Sequence, residues 1–173
     1  MMGTEALLAL LVACAPQVDA GTALALIEVE SGFNPHAIGV VGGELQRQPR
    51  RHAEAVTTAN ALQSGGWNFS LGLAQINVHN LDRLGLDLES ALEPCANLGA
   101  MQAILAECFE RASTPATGGP PDPQRSLREA LSCYYSGNFA TGFKHGYVHR
   151  LVAAAAHAQR QPQRFPATRK EAP

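Results

Sequence analysis

Long apolar runs, metal-type cysteine clusters and blocks of basic residues are all missing from this 173-residue chain, and each absence removes a class of function. The apolar run from Ala6 to Ala15 is too short to cross a bilayer as a helix, so no transmembrane segment is expected. It could pass for the core of an export signal, but no Lys or Arg precedes it and Glu5 does. It therefore reads as a buried first helix, which leaves the export route without an explanation. A net charge of −2 and the lack of a Lys/Arg stripe ahead of the C-terminal tail offer nothing to a phosphate backbone, so no nucleic-acid partner is expected. There is no P-loop and no dinucleotide fingerprint. The four cysteines, Cys14, Cys95, Cys108 and Cys133, have no CxxC or Cys/His spacing that would indicate zinc. Even in number and far apart, they read as two disulfides formed in an oxidising compartment, with all three pairings open.

What remains is ordinary globular material, 46% hydrophobic and 16% charged, long enough for one domain with a real core. Helices are expected over 4–14, 22–32 (with Thr22 as N-cap), 52–64, 79–84, 89–92, 95–111, 126–135 and 147–158. The Gly42-Gly43 pair is a hairpin signal and predicts a small β ribbon joining Val40-Val41 to Leu45. Residues 113–125 form a Pro/Gly-rich loop, and the tail 159–173 reads as disordered, so the domain spans 1–158. The expected class is α+β and predominantly helical, with one small β element between helices.

The chemistry centres on Glu30, at the end of the second helix in Glu30-Ser31-Gly32-Phe33-Asn34-Pro35. It follows Ile27 and Leu26 by three and four residues and so shares their apolar side. Apolar neighbours and the negative end of the helix dipole both favour its protonated form, the state a general acid needs. Glu28, two residues out of phase, reads as exposed. Gly72-Leu73-Ala74-Gln75-Ile76-Asn77 has a glycine for close backbone approach and amides suited to a sugar N-acetyl or hydroxyl group. Tyr134-Tyr135-Ser136-Gly137-Asn138 ends one helix and Tyr147-Val148 opens the last. The lone Trp67 is a sugar platform or a core plug. His145 and His149, at i and i+4, lack an acidic third ligand, so they read as a solvated pair and no metal or cofactor is expected.

Together and in this order these segments resemble the lysozyme-like lytic transglycosylases. The pattern is Glu-Ser-x-Phe-Asn-Pro-x-Ala at 30–37, Gly-Leu-x-Gln-Ile-Asn at 72–77, an Ala-Tyr-Asn-x-Gly-like box at Tyr134, and Tyr147-Val148. The Ile-Gly-Val-Val-Gly-Gly-x-Leu insert, Gly-Trp-Asn-Phe-Ser and Glu-Pro-Cys-Ala-Asn-Leu are similar to the VirB1-like branch, which accompanies type IV secretion systems. The likeness covers roughly residues 12–156. It implies a lysozyme-like fold, a periplasmic location, peptidoglycan glycan strands as substrate and type IV secretion components as partners. It implies Glu30 as the catalytic acid/base, with Ser31, Ser70, Gln75, Asn77, Tyr134 and Tyr135 on the substrate side. Tyr135 stands where the family's third box usually has asparagine, with Asn138 near enough to substitute. The resemblance also implies a Cys14–Cys95 disulfide, with Cys108–Cys133 as the second.

The same motifs resemble animal-type lysozymes, whose second carboxylate lies two residues before the glycine of Gly-x-x-Gln-Ile-Asn. Here that position is Ser70, which cannot act as a stabilising anion, while Asp82, Asp87 and Glu89 read as solvated. A single-carboxylate reaction fits better. Glu30 would cleave the bond between N-acetylmuramic acid and N-acetylglucosamine without water, closing a 1,6-anhydro ring. The alternatives are a hydrolytic muramidase of phage-endolysin type and a glycan-binding scaffold that has lost activity.

Overall fold

A computed structural model describes residues 2–114 and 122–160. In chain order these form α1 (Thr4–Cys14), α2 (Ala20–Ser31), β1 (Ile38–Val40), α3 (His52–Ser64), β2 (Phe69–Leu71) and β3 (Ile76–Asn77). After a 3-10 turn at Val78–Asn80 come α4 (Leu81–Leu84), α5 (Leu88–Ala91), α6 (Pro94–Ser113), α7 (Pro123–Ser136), α8 (Thr141–Lys144) and α9 (Tyr147–Arg160). This is the predominantly helical α+β arrangement expected, with a three-stranded antiparallel sheet ordered β1-β2-β3.

α6 runs through the middle of the fold because it offers an apolar stripe. Leu98, Met101, Leu105 and Cys108 recur at helical spacing and are all buried. Pro94 opens it, where a missing N–H breaks no helical bond. Against it lie α1, whose Leu7 and Leu11 are buried, and α7, while α2 packs mainly on α9 with Leu26 and Ile27 in the same core. Two disulfides tie the helices to α6: Cys14–Cys95 joins the end of α1 to its first turn, and Cys108–Cys133 joins its second half to α7. Both are the pairs the resemblance implied.

Several local expectations change. α2 starts at Ala20, because Asp19 rather than Thr22 is the N-cap, its carboxylate accepting from the Thr22 N–H at 2.9 Å. The ribbon at Gly42-Gly43 does not form. β1 instead pairs with β2, Ile38 opposite Leu71 and Val40 opposite Phe69, which buries Ile38, Phe69 and Leu71 together. The Gln48 side chain binds both the N–H and the carbonyl of Ile38 (2.8 and 2.9 Å), so a side chain rather than a hairpin strand satisfies these groups. α7 begins at Pro123, three residues before Ser126, because Asp122 caps Gln124 and Arg125. α8 was not expected at all, and α9 runs to Arg160 rather than ending at 158. The core of the Pro/Gly-rich loop, 115–121, and the tail from 161 lie outside the described residues. Trp67 is 51% exposed, so it is no core plug.

Candidate active site

Glu30 sits in the last turn of α2. The helix stops there because Gly32 takes the left-handed conformation (φ 58°) and returns its N–H to the Glu28 carbonyl. Glu30 faces a cleft of about 530 Å³ between the sheet and the end of α7. Ser70, Gln75, Asn77, Tyr134 and Tyr135 all line this cleft. Ser31 does not, its hydroxyl donating to the Ile27 carbonyl at 3.2 Å. Glu28 is exposed, as expected.

The sheet-side wall is a turn held from behind. Asn97, wholly buried, accepts from the Ala74 N–H at 2.8 Å and donates to the carbonyls of Leu71 (2.9 Å) and Ala91 (2.7 Å). Gly72 (φ 77°) makes room for it, since a Cβ there would lie 2.4 Å from the Asn97 amide nitrogen. The close approach expected of a ligand is thus made by Asn97. The N–H groups of Gly72, Ala74 and Gln75 all bond within the protein. Gln75 is held in a left-handed conformation (φ 50°), its amide donating to the carbonyls of Ala37 and Gly72 at 3.1 and 3.0 Å. Asn77 donates to Asn68 Oδ1 (2.8 Å) and Ser70 Oγ (3.3 Å), which makes a small polar platform.

The helix-side wall is aromatic. Tyr134 donates its hydroxyl to the Ala74 carbonyl at 2.7 Å and so closes one wall onto the other. Burial pushes its phenol well above the ordinary value, and the neighbouring Glu30 charge adds to this. Behind Glu30 stands Tyr147, 2% exposed, whose hydroxyl donates to Glu30 Oε1 at 2.5 Å. Burial likewise raises Tyr147 far above the usual phenol range, so it remains a donor. Tyr135 stacks on Tyr147 at 4.5 Å between centroids and 20° between planes. Asn138 does not stand in for the family asparagine in the cleft lining. Its Oδ1 accepts from the N–H groups of Ala140 and Thr141 at the start of α8.

Desolvation raises the Glu30 carboxyl to about 7, against the opposing pull of the Tyr147 hydrogen bond and the Arg150 charge. No other carboxylate lies among the described lining residues. Asp82, Asp87 and Glu89 are exposed. Asp87 caps α5 through Ser90, whose side-chain hydrogen bond holds that carboxyl low. His145 contacts Tyr135, its Nδ1 lying 3.2 Å from the hydroxyl, and His149 is exposed.

Sequence reasoning placed both Tyr147 and Asn97 in motifs but gave neither a role. The Pro-Cys-x-Asn spacing was the available signal for Asn97, since it fixes the asparagine two residues beyond a disulfide anchor.

Comparison with known proteins agrees with this geometry. The family model for the transglycosylase SLT domain matches residues 9–155. The type IV secretion system protein virB1 of Brucella abortus is 50% identical over 147 residues, covering 82% of this chain and 60% of that protein. The same protein of Brucella suis gives the same figures. Protein virB1 of Agrobacterium fabrum is 35% identical over 144 residues, covering 82% of this chain and 56% of that protein. The chain thus spans less than two thirds of the length of these curated relatives. No solved structure gives a significant match. The chain belongs to the transglycosylase SLT domain family and is similar within it to the VirB1 proteins.

Proposed function

We propose that this protein is a peptidoglycan lytic transglycosylase, with Glu30 as its sole acid and base. The observation that carries this reading is one raised carboxyl in a cleft whose described lining holds no second carboxylate. Tyr147 occupies Oε1, which leaves Oε2 to carry the proton. Glu30 donates that proton to the glycosidic oxygen between N-acetylmuramic acid and N-acetylglucosamine, and the C1–O bond breaks. The substrate's own 2-acetamido group stabilises the oxocarbenium-like centre. The muramic C6 hydroxyl then attacks C1, and the Glu30 carboxylate takes the hydroxyl proton. The product is a 1,6-anhydro ring, no water is consumed, and Glu30 is protonated again. Ser70, Gln75, Asn77, Tyr134 and Tyr135 supply the polar and aromatic surface for the glycan.

The names of the VirB1 relatives support a setting in which the enzyme opens the wall locally for a type IV secretion apparatus. The two disulfides fit an oxidising compartment such as the periplasm.

Glu30→Gln is expected to lower the release of soluble muropeptides from purified sacculi by about a thousandfold, the order lost with a general acid. Retained turnover in that variant overturns the assignment. Because Glu30 must start protonated, kcat/KM should fall as pH rises through about 7. Mass spectrometry of the products should show anhydromuropeptides; reducing muramic ends would make the protein a muramidase.

A further inference from the structure

Tyr135 is 42% exposed, while the ring it stacks on, Tyr147, is 2% exposed. It therefore lies between Tyr147 and solvent, over the residue that donates to Glu30. Tyr135 does not lie loose on the surface. Its hydroxyl meets His145 Nδ1 at 3.2 Å, and the His145 ring sits edge-on at 5.9 Å between centroids. His145 directly follows α8, which is tied to α7 by the Gly142 N–H donating to the Ser132 hydroxyl at 2.9 Å, and Arg150 of α9 donates to the His145 carbonyl at 3.2 Å.

We propose that Tyr135 is a positioning residue: anchored by His145, its ring covers Tyr147 and keeps water from the Tyr147–Glu30 hydrogen bond, so that Glu30 holds its proton until substrate takes it. A stacked aromatic pair is suited to this, because it excludes water over a wide area with little freedom to open. The titratable or charged groups facing Glu30 are Tyr147 and Arg150 from α9 and Tyr134 from α7. The sheet contributes amides and a hydroxyl, and Glu28 on the same helix is exposed. Desolvation is the largest influence on the Glu30 carboxyl. Thinning the cover therefore acts on the dominant cause, whereas Tyr147 and Arg150 act against it.

This role rests on Glu30 being the acid of the proposed reaction, but it can be read without any turnover. The carboxyl carbon of Glu30 can be titrated by NMR in the substrate-free protein, with Glu30→Gln identifying the signal. Tyr135→Ala should lower the midpoint by about one unit, leaving roughly fivefold less protonated Glu30 at pH 7. Tyr135→Phe, which keeps the ring and its edge contact with His145 but loses the hydroxyl contact, should give only a slight fall, far short of that in Tyr135→Ala. His145→Ala should give a smaller fall in the same direction. A folded Tyr135→Ala protein with the wild-type midpoint overturns the proposal, and a raised KM beside that unchanged midpoint would make Tyr135 a glycan contact instead. If Tyr135→Ala does not fold, His145→Ala decides: a lowered midpoint supports the cover and an unchanged one overturns it. A wild-type protein inert on sacculi, with its Glu30 midpoint moved by Tyr135→Ala, would sink the transglycosylase reading and leave the cover standing.

Discussion

The two walls of the cleft are built on opposite plans. The sheet-side wall is backbone, fastened by the three hydrogen bonds of a buried asparagine and by the two that the Gln75 amide donates. The helix-side wall is two tyrosines, one bonded to the other wall and one lying over a third that stands behind the carboxyl and is bonded to it. Hydrogen bonds of the first kind fix atoms in space and leave little to adjust. Aromatic packing of the second kind excludes water, and excluded water is what moves a carboxyl's affinity for its proton. Shape and acidity are thus handled by different parts of the chain. Each wall also has its own disulfide, Cys95 lying two residues before Asn97 and Cys133 one residue before Tyr134.

That division can be broken by experiment. The largest effects should come from the disulfides. Loop-closure entropy alone makes Cys14–Cys95, spanning 81 residues, worth about 4.5 kcal/mol and Cys108–Cys133, spanning 25, about 3.5 kcal/mol. Denaturant unfolding of the two paired Cys→Ser variants should show that order. Only the Cys108/Cys133 variant should disturb the Glu30 titration, and a shift in the other would blur the two walls. Next in size is Asn97→Ala, which strands the Ala74 N–H and two carbonyls in the core. Urea melts should show a loss of about 3 kcal/mol. Activity should drop with it, while the Glu30 midpoint stays near its wild-type value.

The smallest effect is on the acid itself. Tyr147→Phe removes a hydrogen bond that lowers the Glu30 carboxyl, so the midpoint should rise above about 7 and the alkaline limb of the pH–rate profile should move up with it. The developing carboxylate also loses its donor, which should cost about tenfold in kcat. A midpoint that falls would mean that Tyr147 acts mainly as a shield.

The helices were legible because their signals are local: Pro94 at the start of α6, Gly32 after α2, and apolar residues at helical spacing. The sheet was not. Gly42-Gly43 advertises a hairpin, yet β1 pairs with a strand beginning at Phe69, a contact that only burial of both apolar faces rewards. Asp19 was missed as the cap of α2 because Thr22 is an equally good local candidate, and only the fold shows which oxygen reaches which N–H. Glu30 was legible from its apolar neighbours, and burial does raise it. Its partner was not, since nothing local links a tyrosine opening the last helix to a glutamate closing the second. Ser70, Gln75, Asn77, Tyr134 and Tyr135 do converge on one cleft. The motif could not show that Gly72 is a glycine for the sake of Asn97.

The hydrogen bond between Tyr147 and Glu30 joins residues 117 positions apart. An extended or half-folded chain carries the glutamate but not its hold on the proton, because the water that α9 displaces is still there to stabilise the carboxylate. The raised carboxyl is therefore a property of the completed fold, present only once α9 has docked against α2.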